Sequence, residues 1–138
     1  MKHKFEKINY SDLNAKQQEQ FNFQKVSGKL ADYGYRTISL ADDWQGADFI
    51  ANHINGDTWL KVQLKGRLSF DKKYVGKDLW VCFRDGDKWY FYPHDELLED
   101  VLQQMNIGNT ESWTDKGIYN WPSLSVKLKE MLTRYELL

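Results

Sequence analysis

The chain has 138 residues, of which 41% are hydrophobic and 15% aromatic, which is enough for one hydrophobic core and argues against disorder. The balance of 19 Lys and Arg against 20 Asp and Glu excludes a uniformly basic nucleic-acid-binding protein but leaves local basic patches open. With a single cysteine and no long apolar run, the chain has no internal disulfide and no expected membrane span. Residues 1–7 lack the apolar stretch of a secretory signal, so we expect a cytoplasmic protein. From the length and the missing apolar runs we expect one domain over residues 1–138 and no membrane partner.

The first predicted element is a helix that begins after Asn14, where Gln17 completes the pattern of a capping box. It runs to about residue 33 and ends at Gly34. Its apolar stripe consists of Phe23, Val26, Leu30 and Tyr33. Glu19 lies on the same inward stripe, four residues before Phe23, so the pattern predicts a carboxylate where an apolar side chain is expected.

Strands and two further helices follow in the chain. The strands are predicted at 35–40, 47–54, 58–64, 79–83 and 89–92, and the helices at about 94–105 and 123–135, with an irregular stretch at 106–121. The core-facing residues of these two helices are expected to be Leu97, Leu98, Val101, Leu102, Leu124, Leu128, Met131 and Tyr135. This order predicts an α/β or α+β fold, a mixed β-sheet flanked by helices, with a core at about 13–102 and a helical extension at about 103–138.

The dipeptide Asn55-Gly56 between two of the predicted strands is a strong signal for a β-hairpin. A two-residue turn there places Asp48 directly opposite Gln63 on one face of the sheet, with Lys65 diagonally across. A three-residue loop would break this register and place Asp48 on the wrong face. The hairpin therefore predicts a patch with a carboxylate, an amide oxygen and an ammonium, and an ordinary solvated strand face is the alternative interpretation.

The charge distribution supports a site that binds a cation and a phosphate. Residues 41–57 carry four Asp and no Lys or Arg, residues 61–77 carry six Lys or Arg against one Asp, and residues 94–105 carry four acidic residues. Carboxylate and amide oxygens are hard ligands suited to Mg²⁺, and neighbouring lysines neutralise phosphates. A solvated surface whose charges alternate in blocks explains the same pattern.

Two segments, Gly-Ala-Asp-Phe-Ile at 46–50 and Val-Gln-Leu-Lys at 62–65, resemble the PD-(D/E)XK, or restriction-endonuclease-like, nuclease superfamily. That superfamily has an Asp at the start of one strand and a Glu/Gln-x-Lys sequence on the next. A preceding helix that ends in a Gly-aromatic pair, and a following strand and helix, also belong to its core. The resemblance covers about residues 13–102 and implies a restriction-endonuclease-like fold.

The resemblance also implies roles for individual residues. Asp48 would be a metal ligand, Gln63 a second ligand through its side-chain oxygen, and the main-chain carbonyl of Leu64 a third. Lys65 would position and activate the attacking water, and Glu19 is the best candidate for an acidic residue from the first helix near the metal. Gln63 stands where the superfamily usually has Glu, which removes one negative charge and should weaken metal binding.

Several residues are candidates for contacts with nucleic acid. Basic residues that surround the expected site in sequence could contact the phosphate backbone: Lys61, Arg67, Lys72, Lys73 and Lys77. Trp44, Trp59 and Tyr74 could stack on bases or sugars, although large aromatic residues more often serve packing. Cys82 lies in the middle of a predicted strand and is expected to be a small buried hydrophobic residue.

We therefore expect a small endonuclease that depends on Mg²⁺ or Mn²⁺ and hydrolyses phosphodiester bonds by in-line attack of water, in DNA rather than RNA. The resemblance also implies a homodimer that addresses two strands, or a partner protein that supplies specificity. The alternative is a nuclease-fold protein that has lost catalysis and acts as a nucleic-acid-binding or assembly module, and Gln63 keeps it open. A protein–protein adaptor is a third alternative, which predicts no salt-dependent binding of nucleic acid.

Overall fold

The computed structural model describes residues 4–138, so Met1, Lys2 and His3, on which part of the prediction about a secretory signal depends, lie outside the described residues. The helices of the described part are α1 (Ala15–Ala31), α2 (His94–Gln104) and α3 (Val126–Leu132). The strands are β1 (Tyr35–Trp44), β2 (Ala47–His53), β3 (Trp59–Leu64), β4 (Ser69–Asp71), β5 (Leu79–Asp85), β6 (Lys88–Pro93), β7 (Ile118–Asn120) and β8 (Glu136–Leu137).

Six of these strands form one mixed sheet in the order β1-β2-β3-β5-β6-β8. β3 and β5 are parallel, and every other neighbouring pair in this sheet is antiparallel. The parallel pair requires a crossover between them, and that crossover contains β4, which pairs with β7 in a separate two-stranded sheet. The mixed sheet with flanking helices that the sequence predicts is confirmed.

Helix α1 begins at the predicted capping box. Asn14 Oδ1 accepts a hydrogen bond from the Gln17 main-chain N–H at 2.9 Å, and the Asn14 N–H donates to Gln17 Oε1 at 2.9 Å. Val26 and Leu30 of the predicted stripe are buried, but Tyr33 lies beyond the end of the helix, is exposed, and exchanges hydrogen bonds with the main chain of Leu138. In the described part of the chain, no helix is long and apolar enough to cross a bilayer.

The sheet has a hydrophobic cluster on each face, because neighbouring residues of a strand point to opposite sides. The α1 face buries Val26, Leu30, Phe49, Ala51, Val62, Cys82, Trp89 and Phe91. The other face packs against α2, α3 and the segment between them and buries Leu68, Phe70, Val81, Phe83, Tyr90, Tyr92, Leu97, Leu98, Val101, Ile107, Trp113, Leu128 and Leu132. The expectation that Cys82 is buried is confirmed.

The hairpin between β2 and β3 has the predicted register but not the predicted turn. The ladder pairs Phe49 with Val62 and Ile50 with Lys61, and the same register continued by one residue places Asp48 opposite Gln63. The loop consists of residues 54–57, since the His53 N–H donates to the Thr58 carbonyl at 3.0 Å. The two-residue turn lies instead between β1 and β2, at residues 45–46.

The C-terminal third is less helical than expected. The stretch predicted as irregular contains a π-helical turn at Ser112–Lys116 and the strand β7, and two-residue β8 extends the main sheet next to β6. The last helix is shorter than predicted: it begins after Ser125, whose side chain accepts from the Leu128 N–H. Leu102 of α2 is exposed rather than buried, and Leu132, which the prediction omitted, is fully buried.

Candidate functional site

A cavity of about 480 Å³ lies between α1 and the first three strands of the sheet. Its lining comprises Lys16, Gln17, Glu19, Gln20 and Phe23 of α1, residues 39–43 of β1, residues 47–49 of β2, and Leu64 of β3. Four of the lining residues are acidic: Glu19, Asp42, Asp43 and Asp48. The cavity therefore brings carboxylates from three different elements to one space.

The tight turn before β2 places Asp48 in this cavity. Both turn residues have positive φ, 53° at Gln45 and 89° at Gly46, as a two-residue hairpin turn of this kind requires. A Cβ at Gly46 would also lie 3.0 Å from the ring of Tyr74, so only glycine fits this turn without strain. Ala47 is then fully buried, and Asp48 is half-buried at the start of the strand.

The Asp48 carboxylate is held by main chain and surrounded by other charges. The Leu64 main-chain N–H donates to Asp48 Oδ2 at 2.8 Å. Burial raises the pKa of Asp48 above its usual range, the Leu64 N–H opposes that rise, the negative charge of Glu19 adds to it, the Lys65 ammonium lowers it, and Asp43 raises it. Burial and the negative charges of Glu19 and Asp43 disfavour the ionised form of Asp48, so a cation bound beside it would be stabilising.

Glu19 reaches the cavity from an exposed position on α1. The sequence predicts that it points inward, and the structure shows it lining the same cavity as Asp48, whose pKa its charge raises. Asp42 and Asp43 also line the cavity but were not among the predicted site residues. The sequence showed these carboxylates as part of the acidic stretch at 41–57. Their position in the cavity depends on β1 extending to Trp44, beyond the predicted end at residue 40.

Gln63 and Lys65 lie beside the cavity, and neither is among the residues that line it. Gln63 is half-buried and pairs with Val81 of β5. The Lys65 main-chain N–H donates to the Cys82 carbonyl at 2.9 Å, which anchors it to β5. Its ammonium lies 5.7 Å from the ring centre of Tyr74. The β2–β3 register continued by one residue places Gln63 opposite Asp48, and Lys65 is close enough for its charge to lower the pKa of Asp48.

The ring of Tyr74 packs near Gly46 and Lys65 and is not exposed for stacking. Its side chain is buried, and burial, followed by the charges of Asp71, Asp48 and Asp43, raises its pKa to about 12. Lys65 and Lys73 both place an ammonium near its ring. Of the two roles open to Tyr74, packing and stacking on bases, its burial supports packing, whereas Trp44 and Trp59 are exposed.

The five basic residues predicted to contact nucleic acid differ in their surroundings. Lys61 is half-buried, and its ammonium donates to Gln45 Oε1 at 3.0 Å and to the carbonyl of Lys77. Arg67, Lys72, Lys73 and Lys77 are exposed. Arg67 donates to Asn120, Lys73 pairs with Asp71 at 3.7 Å, and Lys72 lies 5.2 Å from the ring centre of Trp113.

The donor set of the cavity fits a hard divalent cation. Mg²⁺ is usually held by one or two carboxylates and keeps several of its waters, and the lining offers Asp48 and Glu19 with Leu64 beside them. Among residues 4–138, no group of three or more His, Cys, Asp or Glu side chains is arranged to hold a metal ion. A Mg²⁺ ion held by Asp48 and Glu19 alone would therefore keep most of its waters.

Comparison with known proteins gives structural neighbours but no family. No protein-family model and no curated protein matches the chain. The fold is similar to that of the bacterial homing endonuclease I-Ssp6803I, with a TM-score of 0.52 and 12% identity over 89% of this chain and 86% of that chain. Hjc, a Holliday junction resolvase from Archaeoglobus fulgidus, matches with a TM-score of 0.42 and 19% identity over 54% of this chain and 76% of that chain. The first likeness shows that this chain has the fold of a homing endonuclease, in agreement with the nuclease-like architecture expected from the sequence.

Proposed function

We propose that this chain is an endonuclease that depends on a divalent metal and hydrolyses phosphodiester bonds in DNA. The observation that carries the proposal is the shared cavity, in which Asp48 of β2 and Glu19 of α1 line one space with Lys65 beside them. The fold shared with a homing endonuclease supports the same conclusion. The PD-(D/E)XK-like order of Asp48 on β2, Gln63 on β3 and Lys65 directly after β3 is a further support.

Mg²⁺, or Mn²⁺, would be held by Asp48, by Glu19, by the side-chain oxygen of Gln63 and by the main-chain carbonyl of Leu64. When bound, the ion would supply Lewis-acid polarisation of the phosphate and a more acidic water. The Leu64 N–H donates to Oδ2 of Asp48. The other carboxylate oxygen, Oδ1, would therefore be the one that binds the ion. The Lys65 ammonium would hold the attacking water and offset charge that develops on the phosphate.

DNA would contact the exposed basic residues that precede and follow β4. Lys72, Lys73 and Lys77 follow β4 closely in the chain and are exposed, as is Arg67. They would contact phosphates and contribute affinity without base specificity. Lys61 is engaged with Gln45 and Lys77, so its contribution would be smaller than that of the other four.

A nicking assay on supercoiled plasmid and on branched DNA, with Mg²⁺ or Mn²⁺, tests the proposal. Asp48→Asn, Glu19→Gln and Lys65→Ala should each reduce cleavage, by ~100-fold or more for Asp48 and Lys65, because each removes a group at the reacting centre. Asp87→Asn and Lys129→Ala change the same residue types at exposed positions away from the cavity and should cleave like the parent. Equal cleavage by all five variants would contradict the assignment.

Metal binding can be measured without any cleavage. Addition of Mg²⁺ should raise the Tm of the parent chain, since a ligand that binds only the folded state stabilises it, by about 2.7 kcal/mol at 100 times its Kd. The rise should disappear in Asp48→Asn and persist in Asp87→Asn. Gln63→Glu restores the charge that the superfamily usually has, and it should increase both the Mg²⁺-dependent rise in Tm and the cleavage rate.

The rival function is a catalytically inactive, nucleic-acid-binding or assembly module. The observation that favours it is Gln63, which is uncharged and lies outside the lining of the cavity. This rival predicts DNA binding that weakens with salt, no cleavage with either metal, and equal binding by the parent, Asp48→Asn and Lys65→Ala. A cleaving parent chain excludes it.

A further inference from the structure

One side of the main sheet is covered over only part of its width. Phe49, Ala51 and Val62 of β2 and β3 belong to the cluster on the α1 face, so the residues that alternate with them point to the other side. On that other side, β5 and β6 pack against α2 and α3, whereas large side chains of β1, β2 and β3 remain exposed. We call this side of β1, β2 and β3 the open face.

Large apolar side chains of the open face surround a groove of about 440 Å³. Its lining consists of Ile38, Trp44, Ile50, Trp59, Leu60 and Lys61. Ile38 is 42% exposed, Trp44 is 51% exposed and Trp59 is 54% exposed. Single exposed apolar residues are ordinary, but a contiguous group of them marks a surface that binds a partner. The volume lies in the range of sites for small molecules, roughly 300–1,000 Å³, so the groove has room for a planar ring such as a nucleobase.

The strand register places cations beside the two indole rings. One row of directly paired residues across β1, β2 and β3 ends in Lys61, and the next row consists of Arg36, Asn52 and Trp59. Arg36 is exposed, and its Nε donates to Asn52 Oδ1 at 3.3 Å. None of the six residues that line the groove is acidic. The charge around the groove therefore favours an anionic partner with apolar rings, which describes a nucleic acid strand.

Lys61 connects the groove to the basic segment 72–77. Its ammonium donates to the carbonyl of Lys77, whose own side chain is exposed, and lies 5.8 Å from the ring centre of Trp44. Trp44 is paired with the residue directly before Asp48. A strand whose phosphate contacts Lys77 would therefore have a neighbouring base close to the groove, and the turn that places Asp48 lies next to the same groove.

We propose that the groove on the open face binds unpaired bases of a DNA strand, which stack on Trp44 and Trp59. The choice of DNA rests on the proposed function, and the groove narrows the substrate to DNA that has an unpaired strand near the bond to be cut. Stacking on aromatic side chains adds affinity with little sequence preference, because every base has a π face. The cation of Lys61 near Trp44 helps to hold that ring in place before a base binds.

Binding without cleavage tests the groove directly. In EDTA, the affinity for a fluorescent oligothymidylate is compared with the affinity for an abasic oligonucleotide of equal length and charge. The parent should bind the thymidylate ~10-fold or more tightly, because the abasic strand offers phosphates and no rings. Trp44→Leu and Trp59→Leu should each weaken binding of the thymidylate ~5-fold or more and leave binding of the abasic strand unchanged.

Matched variants separate stacking from an ordinary apolar contact. Leu keeps an apolar side chain without a ring, whereas Trp44→Phe and Trp59→Phe keep a ring and should bind the thymidylate within ~3-fold of the parent. Val126→Ala shortens an apolar side chain that is 75% exposed on α3 and should bind both oligonucleotides like the parent. Both tryptophans are more than half exposed, so we expect every variant to fold, and thermal denaturation checks this.

A duplex with a single-stranded flap extends the test to the class of substrate. Trp44→Leu should bind the flapped duplex ~5-fold more weakly than the parent does and a blunt duplex equally well, because paired bases already stack on one another and leave only backbone contacts. A loss of the same size on both duplexes would overturn the preference for an unpaired strand.

The groove and the nuclease fail in different ways. If both Leu variants bind the thymidylate like the parent, or if the parent binds the abasic strand as tightly, the groove does not bind bases, whatever DNA the chain cleaves. A parent chain that prefers the thymidylate through both tryptophans and cleaves no DNA supports the groove and overturns the nuclease. A parent dimer that Trp44→Leu dissociates without any change in DNA binding would overturn the proposal and assign the open face to a second copy.

Discussion

The two halves of the main sheet are packed to different degrees. In the half formed by β5 and β6, one face belongs to the cluster that includes α1, and the other face packs against α2 and α3. Large aromatic residues are buried on both faces. The half formed by β1, β2 and β3 is covered by α1 on one face, while Ile38, Trp44 and Trp59 remain exposed. The candidate cavity belongs to the second half. This difference predicts that substitutions in the half formed by β5 and β6 cost more stability than substitutions on the exposed face of the other half.

The largest effect on stability should come from the residues that pack against the half formed by β5 and β6, such as Phe70 of β4. Phe70 is fully buried, and its ring contacts those of Tyr92, His94 and Trp121 at centroid distances of 5.6–5.8 Å. Phe70→Ala should reduce the free energy of unfolding by about 3–5 kcal/mol, because it removes a buried ring and leaves a cavity. Urea denaturation measures this loss, and a loss below about 1 kcal/mol would show that this half is not the source of stability.

A smaller effect is expected from a buried hydrogen bond in the same half. The Tyr92 hydroxyl donates to the Ser69 carbonyl at 2.7 Å and accepts from the Ser69 N–H at 3.4 Å, which ties β6 to β4. Tyr92→Phe should cost about 1–3 kcal/mol, since it leaves buried polar groups of Ser69 without a partner. Thermal denaturation of Tyr92→Phe and of Tyr119→Phe, a half-buried tyrosine of β7, would separate this bond from a general effect of losing a hydroxyl.

The helix over the less packed half should depend on its cap. Asn14→Ala removes the side chain that accepts from Gln17 and should reduce the free energy of unfolding by about 1 kcal/mol. Asn14→Ser keeps an acceptor and should restore most of that loss. Because α1 also carries Glu19, Asn14→Ala should lower the affinity for Mg²⁺ measured by the rise in Tm. An Asn14→Ala variant as stable as the parent would contradict this prediction.

The smallest effect should come from the open face. Trp59 is more than half exposed, whereas Trp89 is only 4% exposed. Trp59→Thr should change the free energy of unfolding by no more than about 0.5 kcal/mol at low protein concentration. Trp89→Thr, its matched control, should cost at least about 3 kcal/mol. Similar losses from the two tryptophans would refute the contrast between the halves.

The register that defines the site was predictable because burial determines it. Phe49 and Val62 must share the α1 face, and a shift by one residue would expose both. The turn was not predictable from the same pattern: the Asn55 side chain accepts from the N–H groups of Asp57 and Thr58, which stabilises a wider loop in the same register. The register therefore followed from the alternation of the strands rather than from the turn.

Other features could not be predicted because they depend on distant parts of the chain. β4 and β7 have three residues each and pair across a long separation in sequence, too short for a periodic pattern. Nothing local distinguishes buried Tyr74 from an exposed aromatic residue. The carboxylates of β1 become part of the cavity only through the fold of α1 over the sheet, although their charge was visible in the sequence.

The burial of Cys82 gives this chain a chemical reporter of its own opening. The thiol is fully buried at the centre of the sheet, and that burial raises its pKa far above the usual range for a thiol. A thiol reagent can therefore reach it only when the layer between α1 and the sheet opens. Since the chain has one cysteine, the rate of modification reports the frequency of that opening at a single known position, and Mg²⁺ should slow it if the ion holds α1 against β2.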